Sequence, residues 1–364
     1  MKRPRRIVPR MLAPSRILRP TQARAGGGRD REDLVWEAQR AIEEGSKSFA
    51  AASRLFDRHT RARVWLLYAW CRRCDDLADA QELGRPARGG EIGDQADAAK
   101  RITAIRLLTD RAFEGLPTAD PAFDALGLVA TECGLTREMA DDVIMGFELD
   151  AAGWRPRTEA DLARYCYHVA GAVGVMMARI MGVPEDDEDA LDRAFELGVA
   201  FQLCNIARDL SDDDAAGRCY LPLEWLAEAD VPPGEHMKPR HREQLVLLAA
   251  RLVDLAETYE ASARLGTPGL AFRQRWAVLT ASNIYLAIGR KVRERGAQAW
   301  DHRVTTSRLE KLGATFRGFM EALDAPLPVE RPVPYSRGQI LVTVRMAGPI
   351  PPNPMTPLPD EEAL

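Results

Sequence analysis

The sequence predicts an all-α protein, organised as a single helical bundle around a central cavity, with disordered N- and C-terminal extensions. Three observations carry this reading. Apolar residues recur at helical spacing, in segments, from about Asp33 to Ala322. No stretch alternates apolar and polar residues as a half-buried strand does. A chain of 364 residues with 46% hydrophobic side chains has enough apolar material for a sizeable core.

The elements follow in chain order. Residues 1–32 form a basic extension. Lys2, Arg3, Arg5, Arg6, Arg10, Arg16, Arg19 and Arg24 occur without an acid and without a continuous apolar run. Disorder is expected there rather than a secretory signal, with attraction to anionic lipid as a weaker reading. Residues 33–323 are the helical domain, broken at 84–93, 116–121, 182–187 and 231–239. The run Asp186-Asp187-Glu188-Asp189 follows Pro184 and reads as a solvated loop. Residues 324–364 are proline-rich, which opposes regular helix, and Gln339–Val344 within them reads as a strand or an exposed segment.

Composition narrows the function classes. A net charge of -4 with no basic stripe in the central region excludes a nucleic-acid partner. The longest uncharged apolar runs, Tyr165–Ala178 and Trp276–Gly289, are too short to span a bilayer and suit buried helices. The six cysteines sit in apolar helical patterns, as reduced core thiols do, so a cytoplasmic protein is expected. Cys71 and Cys74 form a lone C-x-x-C without the second pair a zinc site needs.

Two acidic patches carry chemistry. The first ends the apolar segment beginning at Ala62 and reads Asp75-Asp76-Leu77-Ala78-Asp79; four-residue spacing puts Asp75 and Asp79 on one face, with Tyr68 and Arg72 on the turns before. The second follows Phe201-Gln202-Leu203-Cys204, and places Asn205, Asp209 and Asp213 on one face beside Arg208. An isolated D-x-x-x-D is more often a solvated helix end. Here each patch continues a strongly apolar helix, where an uncompensated carboxylate is costly, and each carries an arginine. Oxygen ligands without histidine or thiolate suit a hard cation, so Asp75, Asp79, Asn205, Asp209 and Asp213 are candidate ligands of Mg2+, with Mn2+ able to substitute. Carboxylates and arginines facing one cavity describe a metal-diphosphate site. No P-loop or dinucleotide fingerprint is present, so no nicotinamide cofactor is expected.

These residues resemble the squalene and phytoene synthase family, over roughly residues 45–320, with the second motif and Gly217-Arg218-Cys219-Tyr220-Leu221-Pro222 most similar to its bacterial phytoene-forming branch. The resemblance implies the isoprenoid synthase helical bundle. It identifies Gly45-Ser46-Lys47-Ser48-Phe49 as similar to a substrate lid, which brings in Ser46, Lys47 and Phe49. It likens Tyr165-Cys166-Tyr167-His168-Val169-Ala170-Gly171-Ala172-Val173-Gly174 to a helix whose small residues line a hydrocarbon tunnel; Tyr165, Val169, Ala170 and Gly174 become candidate substrate contacts, although close helix packing explains small residues equally well. Gln202 and Tyr220 belong to the second motif. Tyr285 and Arg303 match positions near the diphosphate. Asp212 stands where many members carry glutamate, with charge retained.

The implied activity is magnesium-dependent head-to-head condensation of two geranylgeranyl diphosphates, through a cyclopropyl-carbinyl diphosphate, to phytoene. Arg72, Arg208, Arg303 and Lys47 would bind phosphate, with the forked donors of arginine favoured. The proton-abstracting base stays open among released diphosphate, Tyr285 and Tyr68. Partners implied are the prenyl diphosphates, a downstream desaturase and peripheral contact with the inner membrane face. A squalene-type synthase using farnesyl diphosphate predicts the same motifs. A non-catalytic assembly factor would be expected to lose aspartates that both motifs keep.

Overall fold

The computed structural model describes residues 23–79, 81–82, 85–86, 95–323 and 332–346. Helices dominate: α1 (Arg31–Gly45), α2 (Lys47–Ser53), α3 (Arg58–Ala78), α4 (Gln95–Phe113), α5 (Pro121–Cys133), α6 (Arg137–Ala151), α7 (Glu159–Cys166), α8 (Ala172–Ile180), α9 (Glu188–Ala215), α10 (Leu223–Glu228), α11 (Arg242–Ala263), α12 (Phe272–Arg295), α13 (Arg308–Leu323) and α14 (Arg337–Met346). The sheet among the described residues is one antiparallel pairing of Gln81–Glu82 with Arg85–Pro86.

Short polar residues start the helices by taking up otherwise unpaired N–H groups. Asp30, Ser46, Asp57, Asp120, Thr136 and Asp187 each accept from the first turn of the helix that follows, and Thr158 with Asp161 forms a capping box. α9 is charged at both ends and mostly apolar between Leu197 and Ala207, and it buries Leu191, Phe195, Val199, Leu203, Ile206 and Leu210, which marks it as the central helix. It packs on α8, α11 and α12, while α3 packs on α1 and α5 across the bundle. Gly198 on α9 lies against the backbone of residues 170–171, and Gly174 on α8 against that of Ala194. A Cβ at either position would collide with a carbonyl, so these two helices approach as closely as their backbones allow.

The break between α7 and α8 is not a loop. Tyr167–Gly171 continues the helix as a π turn, which shifts Val169 and Ala170 in register relative to α7.

Three expectations change. Residues 25–32, read as part of the extension, belong to the fold: Gly26 is buried near Leu34 and Leu128, Arg29 donates to the buried Asp124 at 2.8 Å and Arg31 to Glu132 at 2.6 Å. The basic segment 1–22 falls outside the described residues. The run Gln339–Val344 is helix rather than strand, because its apolar side chains meet a helical surface: Ile340 is buried, Leu341 and Val344 pack on the core, and Arg337 reaches Asp192 at 2.6 Å and also Glu188. The run 186–189 is exposed, as expected, but only its first half is loop: Asp187 caps α9, and Glu188 and Asp189 form its first turn, with Glu188 paired to Arg337.

Candidate active site

Both acidic motifs sit at helix C-terminal ends, Asp75 to Asp79 on α3 and Asp209 to Asp213 on α9. Helix ends of this polarity repel negative charge, so the carboxylates need compensation from elsewhere. Burial, with Asp79 and Asp76 nearby, pushes Asp75 up to about 6 against the opposing pull of Arg72. Burial and Asp209 push Asp213 up to about 7. Asp209 itself is held low despite burial, because Arg208 and Arg303 both donate to it.

Arginines distribute themselves over the acids. Arg72 donates to Asp75 at 2.8 Å and to the buried Asp76 at 2.6 Å. Arg208 grips Asp209 from the adjacent position, with Nε at 2.7 Å, and Arg303 approaches the same carboxylate at 3.0 and 2.9 Å. Trp300 makes the latter approach possible, since its buried indole donates to the Ala207 carbonyl at 3.0 Å and pins the post-α12 loop to α9. Arg218, just after α9, reaches across to Asp79 at 2.5 Å and ties the two motifs together.

The motifs face one polar cavity of about 510 Å³, whose wall includes Asp75, Asn205, Asp209, Asp213, Arg72, Arg208 and Arg218. Val169, Gln202 and Asn205 also line a second cavity of about 310 Å³, so the two adjoin. The second is apolar, walled by Phe49, Val173, Met177, Met181, Phe201 and Ala281 among others. Tyr285 stacks on Phe201 with ring centroids 4.2 Å apart in the wall of the apolar cavity.

Most sequence-selected residues therefore meet at these cavities. Tyr68 lines the polar one, in the space that the missing Cβ of Gly45 leaves for its hydroxyl, and packs on Phe49 at 5.6 Å. Ala170 and Gly174 line the apolar one, so Gly174 serves close packing and cavity wall at once. Asn205 is within 3.5 Å of Gln202. Other candidates sit apart. Ser46 caps α2, its oxygen accepting from the Phe49 N–H at 3.3 Å, and Lys47 is exposed. Asp79 joins the cavity only through Arg218. Tyr165, expected along the tunnel, faces the polar cavity instead.

Its partner there is Asp150, which sequence reading passed over. Tyr165 and Tyr220 stack at 4.5 Å and both donate to this carboxylate, at 3.0 and 2.8 Å. Burial raises Asp150 to about 6 while Arg218 opposes the rise. A signal was available: Val143, Gly146, Phe147 and Asp150 share one helical face, so a lone acid interrupts an apolar stripe. Arg218 was equally legible beside Cys219, as a charge within a strongly matching segment.

Among the described residues no three acids, histidines or cysteines converge as a ready-made cation cage. The carboxylates and amide that share the cavity, Asp75, Asn205, Asp209 and Asp213, offer oxygen atoms, the Cys71 thiol beside them is held protonated by burial, and Asp75 and Asp213 lack sufficient neighbouring positive charge. Such a set fits hard cations that take part of their coordination from phosphate oxygens.

Comparison with known proteins agrees with this geometry. The family description "Squalene/phytoene synthase" matches residues 42–310. The chain belongs to the squalene/phytoene synthase family. It is 48% identical over 279 residues to a phytoene synthase of Pseudescherichia vulneris, covering 77% of this chain and 89% of that one. It is 43% identical over 301 residues to a 15-cis-phytoene synthase of Pantoea ananas, covering 83% and 96%. The crystal structure of a dehydrosqualene synthase superposes with a TM-score of 0.69 at 27% identity, covering 79% of this chain and 96% of that one. Squalene/phytoene synthases use prenyl diphosphates and generally depend on divalent metal. No helix among the described residues is long and apolar enough to cross a membrane.

Proposed function

We propose that this chain joins two geranylgeranyl diphosphates head to head, through prephytoene diphosphate, to give phytoene. The observation that carries the reading is the junction of the two cavities: a carboxylate- and arginine-lined chamber adjoins an apolar one across Val169, Gln202 and Asn205. A prenyl diphosphate has the same two halves.

Asp75, Asp79, Asn205, Asp209 and Asp213 would hold magnesium, for which manganese can substitute, and there it would supply the positive charge that lets the diphosphate depart. Arg72, Arg208, Arg218 and Arg303 supply forked N–H donors that can exchange a carboxylate partner for phosphate oxygens. Phe49, Val169 and Phe201 keep water from the allylic cation, which any nucleophile in reach would quench. That cation is attacked by the double bond of the second substrate, and loss of a proton closes the cyclopropane ring. Burial raises Tyr68 to about 12 and Tyr285 above its usual value, so both phenols stay protonated at neutral pH. Their neutral hydroxyls suit orientation, and the released diphosphate is the better proton acceptor. A fifteen-carbon substrate is the second reading, supported by the dehydrosqualene synthase among the structural neighbours.

The test is incubation of the purified chain and magnesium with geranylgeranyl or farnesyl diphosphate, without nicotinamide cofactor, and identification of the lipid by mass. A forty-carbon triene is expected from the former. Product from farnesyl diphosphate alone supports the second reading, and no product from either refutes both.

A further inference from the structure

Helix α13 carries an apolar stripe that no other described residue covers. Leu309, Leu312, Phe316, Met320 and Leu323 recur at three- and four-residue spacing, and their exposure runs from 48% at Met320 to 79% at Leu309. Large apolar side chains gathered on one exposed helical face mark an interaction surface.

Its position relates it to the apolar cavity. α12 is the shared wall: Ala277, Val278 and Ala281 line the cavity, while Trp276 donates to the Thr315 carbonyl of α13 at 2.9 Å and Arg275 to that of Ala322 at 3.3 Å. The C-terminal half of α13 thus lies beside the first turns of α12. The end of the cavity lined by Leu270, Thr267 and Met181 is at that same place, since Gln274 donates to the Met181 carbonyl. Phe272 is 41% exposed there and meets Phe319 edge-on at 5.8 Å, which continues the apolar surface from α13 toward that end.

Charge selects the occupant. The two acids of α13 turn to partners in the protein, Glu310 to Lys291 and Glu321 to Arg264 and Asn283. Arg308 and Arg317 flank the stripe and are exposed. An apolar face with basic borders is complementary to a bilayer with anionic headgroups, into which such a helix sinks its apolar side.

We propose that the α13 stripe docks this chain onto an anionic lipid surface, so that the cavity end beside α12 faces the bilayer. The inference deepens the proposed activity and rests on it: a forty-carbon hydrocarbon has no polar atom to favour release into water, and a bilayer beside the cavity end receives it.

Flotation of the full-length chain with phosphatidylcholine vesicles and with equimolar phosphatidylcholine–phosphatidylglycerol vesicles tests this. Wild type is expected to float with the anionic vesicles, and Leu312→Glu/Phe316→Glu to lose about tenfold in bound fraction. Arg308→Glu/Arg317→Glu, which leaves the stripe apolar, should lose the preference for anionic over neutral vesicles. Unchanged circular dichroism and unchanged prenyl turnover in detergent establish that both variants are folded. Flotation of Leu312→Glu/Phe316→Glu equal to wild type overturns the proposal. So does a wild-type dimer in sedimentation velocity that this variant dissolves, because a second copy then covers the stripe. Flotation decides the docking whatever the turnover, and absence of product from detergent-treated wild type refutes the activity reading separately.

Discussion

Arg218→Gln removes the cation that bridges the two aspartate motifs. Arg218 meets Asp79 at 2.5 Å and also opposes the upward shifts of Asp75, Asp150 and Asp213. Breaking a fully buried pair from one side costs about 3–5 kcal/mol. Arg218 is 34% exposed and Asp79 22%, so water recovers part of that loss and about 2 kcal/mol remains. If the lost compensation falls on diphosphate binding and ionisation, about 2 kcal/mol is roughly thirtyfold in kcat/KM. Arg218→Lys keeps the charge and loses the fork, so an intermediate loss is expected. The assay is the initial rate of phytoene formation at saturating magnesium, beside a thermal melt that should fall by only a few degrees, about 3 °C. A kcat/KM within about threefold of wild type, in a normally folded Arg218→Gln protein, refutes the view that this arginine couples the motifs.

Asp209→Ala should abolish turnover while leaving helical content unchanged, since it removes a candidate cation ligand and strands Arg208 and Arg303; retained activity refutes the metal-site proposal. Gly198→Ala forces a methyl against the Ala170 carbonyl and should cost about 2 kcal/mol or more, read as a lower denaturant midpoint. His168 is fully buried with Nδ1 donating to the Asp142 carbonyl at 2.8 Å, and burial depresses it to about 4. The unfolded chain therefore binds the extra proton first. Stability is complete above the ordinary histidine range near 6.5 and falls by up to about 3 kcal/mol as pH drops toward 4, a loss that His168→Gln should reduce in acid-dependent urea melts.

The legible parts of the site are those in which chemistry repeats locally. A D-x-x-x-D at the end of an apolar helix states both its secondary structure and its anomaly within a dozen residues, which is why Asp75, Asp79, Asp209 and Asp213 stood out. Asp150 did not, because a single acid on an apolar stripe gains meaning only when Tyr165 and Tyr220 arrive from two other segments to donate to it. Arg303 was placed by resemblance, while the reason it reaches Asp209 is the Trp300 anchor on α9. The helix α14 was misjudged for a related reason. The prolines on either side of it, Pro332, Pro334 and Pro349, and the β-branched residues within it oppose a helix, and docking of Ile340 and Arg337 on the core outweighs them.

By itself the sequence determined the helical class, four of the breaks between helices and the presence of two anion-handling patches, since these depend on period, turn residues and charge among near neighbours. The tertiary structure decided which charges neutralise one another, which face of α8 and α9 becomes a cavity wall, and where the polar and apolar chambers adjoin. Those outcomes depend on packing between segments 70 to 140 residues apart, such as Asp79 with Arg218 and Asp150 with Tyr220. No local pattern encodes such distances; they follow from how α3, α6 and the segment after α9 pack together in the folded bundle.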